Sequence, residues 1–203
     1  MTQEDVALKV SMLLAQLRSG VLIRPYVPAY RKAPARKLDV VSAWSGIEEI
    51  LAEMIERFGL KTKRCLEFGV EHGFSTVALS SYFESVTGVD TFMGDIHTKI
   101  DDDIYDAALA LVAPYGNIHL VRSDYRDFIL RDSGFYDLIH VDIVHTYEDT
   151  LACGLWSAQH SKCTIFHDTQ SYPDVKRAVI KIAGETGKKF YNYKESFGLG
   201  IVA

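Results

Sequence analysis

The chain of 203 residues, 48% hydrophobic and 24% charged, has enough sequence for one domain with a full core and too little for two. Its formal charge of -5 argues against a general nucleic-acid binder, which needs a basic face; Arg24 to Lys37 is the one local basic stretch. Cys65, Cys153 and Cys163 lack C-x-x-C spacing and fit a reducing compartment, Cys65 and Cys163 reading as buried thiols in apolar runs, and no stretch is apolar enough to span a bilayer.

At the N-terminus Glu4 and Asp5 precede the apolar residues, the wrong order for a secretory leader, so a cytoplasmic protein without membrane partners is expected. Val6, Val10, Leu13, Leu14 and Leu17 recur at helical spacing. Ser19-Gly20 then breaks the pattern, and Pro25, Pro28 and Pro34 mark an irregular segment. Residues 1–40 are thus expected to form a helical and irregular extension, a lid or an oligomer contact, ahead of a domain spanning 41–203. Ser42 or Ser45 is a candidate cap for a helix running to Phe58, with Ile47, Ile50, Leu51, Met54 and Ile55 as its apolar stripe.

From Arg64 the pattern alternates. Strands are predicted at Cys65–Phe68, Ser85–Val89, Ile118–Val121, Tyr136–Val141 and Cys163–Phe166, with helices at Ser75–Phe83, Asp101–Val112, Thr146–Gln159 and from Pro173. Two closing strands, Phe190–Tyr193 and Leu199–Val202, have too little chain between them for a crossover and must pair antiparallel. The expected fold is α/β: a doubly wound, mostly parallel seven-stranded sheet with an antiparallel C-terminal hairpin.

Ligands of such sheets bind off the carboxyl ends of the strands. Read in order, those ends carry Glu67-Phe68-Gly69, Asp90-Thr91, Ser123-Asp124, Asp142 and His167-Asp168, so every strand delivers an acid or a glycine to one edge. Aspartate and glycine are common after strands, but five consecutive instances are hard to assign to turn preference alone. The first loop has Gly69 and Gly73 but not G-x-G-x-x-G, since Glu71 and Phe74 stand where a dinucleotide's pyrophosphate would need glycine. An acid on the strand, Glu67, suits a ligand that presents an amino group.

The run Glu67-x-Gly69-x-x-x-Gly73-x-Ser75-Thr76 after a strand resembles motif I of the class I S-adenosylmethionine-dependent methyltransferases. Asp90 then matches the acid of the next motif, which binds ribose hydroxyls, and Ser123-Asp124 the motif near the adenine. Tyr136-Asp137-Leu138-Ile139-His140-Val141-Asp142, followed by His145-Thr146-Tyr147-Glu148, is similar to a run of the small-molecule and sugar O-methyltransferase branch that includes the macrocin and novobiocin-type enzymes. Phe166-His167-Asp168-Thr169 and Phe197-Gly198-Leu199-Gly200 match that branch as well, so the resemblance spans about residues 40 to 203. Ile143, where the branch carries glycine, and the absence of a Pro-Gly-Gly turn after Gln159 are departures.

The resemblance implies S-adenosylmethionine as cofactor, held by Glu67, Gly69, Gly73, Ser75, Asp90, Thr91, Ser123 and Asp124, and a small-molecule acceptor such as a sugar or glycoside hydroxyl, with no nucleic acid. In the strand order the resemblance implies, Asp142 and Asp168 fall on neighbouring strands about 4.8 Å apart, and two carboxylates so close need a counter-charge. Mg²⁺ or another divalent cation held by Asp142, His167 and Asp168 would supply it; a hydrogen-bonded acid pair is the alternative. His145 is the candidate general base beside Asp142, with a helix-start residue facing solvent as its bland reading. His140 reads as structural, His72 and His97 lie in cofactor-side loops, and Trp44 and Trp156 read as core. The chain is expected to be an enzyme, and a homo-oligomer is a further expectation. A cofactor-binding module without turnover and a nicotinamide-dependent oxidoreductase are the rivals; a nucleic-acid methyltransferase would want an N-P-P-Y-type tetrapeptide, which is missing.

Overall fold

The computed structural model describes residues 10, 14, 20–94 and 102–203. Most of the predicted N-terminal helix, His97 and the start predicted for the helix at Asp101 lie outside the described residues; Val10 and Leu14 are helical and exposed. The elements in chain order are β1 (Ile23–Pro25), a 3₁₀ turn (Glu48–Ile50) leading into α1 (Leu51–Phe58), β2 (Arg64–Phe68), α2 (Phe74–Ser80), β3 (Ser85–Asp90), α3 (Tyr105–Val112), β4 (Ile118–Arg122), α4 (Tyr125–Ile129), β5 (Tyr136–Val141), α5 (Tyr147–Gln159), β6 (Ser161–His167), α6 (Pro173–Thr186), β7 (Phe190–Tyr193) and β8 (Leu199–Val202).

They build one sheet in the order β1-β7-β8-β6-β5-β2-β3-β4, in which β8 alone runs antiparallel to its neighbours. The sheet therefore has eight strands where seven were expected. The extra one is β1, a three-residue edge strand ending in Pro25 that pairs Ile23 with Phe190. An edge position tolerates the proline, and three residues carry no readable alternation. Tyr26 and Leu38 are buried in the same core as the sheet, and Lys32 donates its backbone N–H to Glu49 at 2.7 Å, so the segment after β1 is packed along the domain.

Period-two alternation divides β2 between two hydrophobic layers. Cys65 faces Trp44, Ile47, Met54 and Val77, next to α1 and α2, whereas Leu66 and Phe68 face Cys153, Val179 and Ile182 on α5 and α6. All three cysteines are free and buried.

The helix expected from Ser42 or Ser45 starts later. Ser42 Oγ accepts the N–H of Trp44 inside the loop, and Gly46 sits at φ +96°, which interrupts helical backbone. Regular α-helix begins at Leu51 without a side-chain cap and ends at Gly59, φ +58°, as anticipated. The short helix α4 was not foreseen: Asp124 caps it by accepting Arg126 N–H at 2.8 Å, but five residues are too few for a period to show. Thr146 caps α5, its hydroxyl accepting the N–H of Asp149.

The ladder continues past the strand ends. Gly69 N–H donates to Val89 O, Ser123 N–H to Asp90 O and Asp142 N–H to Phe68 O, which brings all these residues to one edge. Among the described residues, no helix is long and apolar enough to cross a membrane.

Candidate active site

A cleft of about 830 Å³ runs along this edge. Its first half is walled by Gly69 to His72, Ser75, Asp90, Thr91 and Ser123 to Arg126; its second by Val40 to Trp44, Asp142 to His145, His167, Asp168, Ser171, Tyr172 and Phe197.

In the first half, Gly69 lies at φ +86°, and a Cβ built there would fall 1.7 Å from the carbonyl oxygen of Asp142. The space next to this glycine is thus filled by the carbonyl that follows β5. Gly73, at φ +85°, opens α2. Asp90 is held by three backbone donors: Oδ2 accepts from Val70 at 2.7 Å and Glu71 at 2.9 Å, and Oδ1 from Phe92 at 2.8 Å. A carboxylate has about four acceptor sites, so one remains on Oδ1, suited to a hydroxyl. Asp124 is spent on the α4 cap and an ion pair with Arg126, while Tyr125 donates its hydroxyl to Asp149 at 2.7 Å.

Of the predicted cofactor residues, Glu67 and Gly73 do not line the cleft, and Glu67 points into the core. It is fully buried and faces the α2 side of the sheet. Its Oε1 lies 2.8 Å from His140 Nδ1, and its Oε2 accepts the Thr76 hydroxyl. The indole of Trp44 donates to His140 Nε2 at 3.1 Å. An indole N–H only donates, so His140 Nε2 must accept and the ring proton sits on Nδ1, facing the carboxylate. The presumed contact of Glu67 with a ligand amino group therefore gives way to a buried chain, Thr76–Glu67–His140–Trp44, whose last member reaches the cleft wall. His140 is structural, as expected, and this role for Trp44 was not visible in its helical spacing.

In the second half, β5 and β6 pair Val141 with Phe166, which sets Asp142 beside His167 and Asp168. His145 Nε2 lies 3.0 Å from Asp168 Oδ2 and 3.5 Å from Asp142 Oδ1. His167 Nδ1 lies 3.1 Å from Asp142 Oδ2 and 3.3 Å from Asp168 Oδ2. Its other nitrogen, Nε2, is 3.2 Å from the carbonyl of Ser196. A carbonyl only accepts, so both ring nitrogens carry protons and His167 is a cation.

Burial opposes charge on all four groups, but their mutual attraction wins. Against desolvation, the two aspartates push His145 up to about 9 and His167 up to about 10. Against the same desolvation, the histidines hold Asp168 at about 2 and Asp142 well below the usual carboxylate range. The two histidines thus stand within 3.5 Å of the paired aspartates, where a counter-charge is needed. His167 is turned away from a ligand role, with both nitrogens engaged as donors. The group whose donor atoms converge, all within 4.8 Å of one another, is instead Asp142, His145 and Asp168. Two oxygens and one imidazole nitrogen fit a divalent cation in kind.

The backbone here is unusual. Asp168 lies at φ +63°, and Ser196 and Phe197 at +49° and +63°, left-handed values rare for residues with a Cβ. Ile143, in place of the glycine, packs against the α5–α6 layer and lines the cleft without displacing Asp142 from its bond to Phe68. His72 also lines the cleft, on the first half.

A protein-family model described as a methyltransferase domain matches residues 66–169, just over half of the chain. No curated protein matches the sequence. Among solved structures, an O-methyltransferase from Bacillus cereus in complex with SAH is 13% identical, with a TM-score of 0.56 over 97% of this chain and 90% of that one. CalS10 from Micromonospora echinaspora, an amino pentose methyltransferase solved with SAM bound, is 11% identical, with a TM-score of 0.58 over 79% of this chain and 91% of that one. At these identities the likeness concerns the fold, which is that of the class I methyltransferases. The family match, running from the first glycine loop through Asp90, Asp142, His145 and Asp168, establishes that the chain belongs to the methyltransferase domain family.

Proposed function

We propose that this protein is an S-adenosylmethionine-dependent O-methyltransferase acting on a hydroxyl of a small molecule. The observation that carries this reading is the continuity of the cleft: a wall of fixed backbone and acids in one half opens onto the Asp142–His145–His167–Asp168 centre in the other. The cofactor half fits a phosphate-free ligand. It offers one acceptor on Asp90 for a ribose hydroxyl, the side of Tyr125 for a flat base, and no glycine-lined phosphate cradle. S-adenosylmethionine, when bound, supplies an electrophilic methyl group. Ser75, Thr91, Ser123 and Asp124 line the half assigned to the cofactor, Gly73 opens α2 behind that wall, and Gly69 shapes the loop by admitting the Asp142 carbonyl.

His145 is the base of this scheme. The aspartates are too acidic to take a hydroxyl proton, whereas neutral His145 accepts one at Nε2 and is then stabilised as the imidazolium by Asp168 and Asp142. With His145 at about 9, its accepting form grows as pH rises toward that value. His167, tied at both nitrogens, holds Asp142 in place. Alignment of the acceptor oxygen with the methyl is the rest of the protein's contribution.

A divalent cation is a second reading, favoured by the convergence of Asp142, His145 and Asp168. Such an ion would act as a Lewis acid on the acceptor oxygen. A sugar or glycoside hydroxyl is the acceptor class that the family resemblance and the amino pentose methyltransferase support.

Calorimetry with S-adenosylhomocysteine and NADH tests the assignment. Saturable binding of the first and none of the second is expected; preference for NADH would overturn it. Once an acceptor is in hand, transfer that vanishes on chelation and returns with Mg²⁺ would favour the cation reading over the metal-free one.

A further inference from the structure

Phe197 is placed where folding gains little from an apolar ring. Its backbone sits at φ +63°, between Ser196 at +49° and Gly198 at +94°, and its side chain is 55% exposed. The ring belongs to neither main hydrophobic layer. A glycine would satisfy this backbone without strain and without leaving an apolar ring in water.

The turn is nevertheless fastened firmly. The carbonyl of Phe197 accepts from Gln170 N–H at 2.9 Å, from Ser171 N–H at 3.3 Å and from the Ser171 hydroxyl at 3.3 Å. Ser196 donates its hydroxyl to Ser45 O at 2.7 Å, and its own carbonyl meets His167. A strained backbone that is nevertheless tied down sets this exposed ring at a defined place on the cleft, in reach of a ligand.

What it faces is the reacting half of the cleft. Its ring meets the edge of His167 at 6.5 Å in a T-shaped contact. Tyr172, on the same cleft, stacks flat on His145 with centroids 4.1 Å apart. Since both histidines pair with the same two aspartates, the two aromatic rings flank the centre at which the acceptor hydroxyl is proposed to react. Val41, fully exposed, adds apolar surface to this mouth.

We propose that Phe197 and Tyr172 bind an aromatic ring of the acceptor, next to the hydroxyl that receives the methyl group. Rings of this kind recognise a flat π-face by offset or edge contacts, which a saturated ring of the same bulk cannot return. The inference rests on the methyltransferase reading of the cleft and specifies an aryl group beside the acceptor hydroxyl, as in an aryl glycoside.

The test uses 2-naphthol and its saturated counterpart 2-decalol as probes, titrated by saturation-transfer NMR with and without S-adenosylhomocysteine. Saturable binding of 2-naphthol, tighter than 2-decalol by about five-fold or more, is expected. Phe197→Gly, whose backbone suits φ +63°, and Phe197→Leu, which keeps apolar bulk without a ring, should each abolish that preference while S-adenosylhomocysteine affinity stays unchanged. No saturable naphthol binding, equal affinity for the two probes, or a preference that survives in both variants would overturn the inference. Failure of S-adenosylhomocysteine to bind the unmodified protein would instead strike the function proposed above, and the naphthol comparison in its absence would still be read.

Discussion

The two halves of the cleft are built on opposite plans. On the cofactor side the acids are largely engaged by the fold: Asp90 holds three backbone N–H groups and keeps one acceptor, Asp124 caps α4, and Glu67 is buried behind the wall. On the acceptor side, four ionisable groups face one another within 3.5 Å, beside residues in left-handed backbone. A frame that must present a fixed shape is made from backbone and saturated hydrogen bonds. A centre that must move a proton keeps its charges mutually dependent and in reach of the ligand.

The contrast breaks most completely where the halves touch. Gly69→Ala would drive a Cβ into the Asp142 carbonyl, and roughly 3 kcal/mol or more of stability should be lost. Thermal melting checks this, with a fall on the order of 10 °C expected. His145→Ala tests the acceptor half alone. Methyl transfer to an identified acceptor should drop about 100-fold or more, with S-adenosylhomocysteine affinity intact. Full activity in that variant would remove the base from the scheme.

The charge cluster also leaves a mark on stability. His145 and His167 have folded pKa values of about 9 and about 10, above the 6.5 of an unperturbed histidine. They keep protons that the unfolded chain releases, so their contribution is complete below pH 6.5 and is lost as pH rises through 9 and 10. The melting temperature should fall across that window, and His145→Asn should flatten the fall. A melting temperature that rises from pH 6.5 to 9 would contradict the ion-pair assignment. The smallest effect belongs to the buried chain behind the wall. Trp44→Phe leaves His140 Nε2 without its donor and should cost about 1 kcal/mol in a denaturant titration.

Where local periodicity governs, the chain could be read directly. The strands from β2 to β8 and the helices α5 and α6 follow alternation, Pro173 and turn signals, and the row of strand-end acids marks the edge along which the cleft runs. β1 and α4 escaped because three and five residues carry no period. The site residues were legible as identities but not as partnerships. That Glu67 turns inward depends on Thr76 and His140 meeting it across the sheet. That His167 is a cation depends on Ser196, some thirty residues further along the chain. The closeness of Asp142 and Asp168 follows from their strand-end positions, but the pairing of both with His145 and His167 does not, because charge is settled by neighbours about 3 Å away and not by spacing in sequence.

The separation of the two halves is the central claim, and paired calorimetric titrations of S-adenosylhomocysteine into Asp90→Ala and Asp168→Asn test it most directly. Asp90→Ala removes the one free acceptor and releases three backbone donors, so affinity should fall about ten- to a hundred-fold. Asp168→Asn, on the acceptor side, should leave the affinity of the unmodified protein essentially unchanged. Loss of affinity in Asp168→Asn equal to that in Asp90→Ala, or none in Asp90→Ala, would contradict the division.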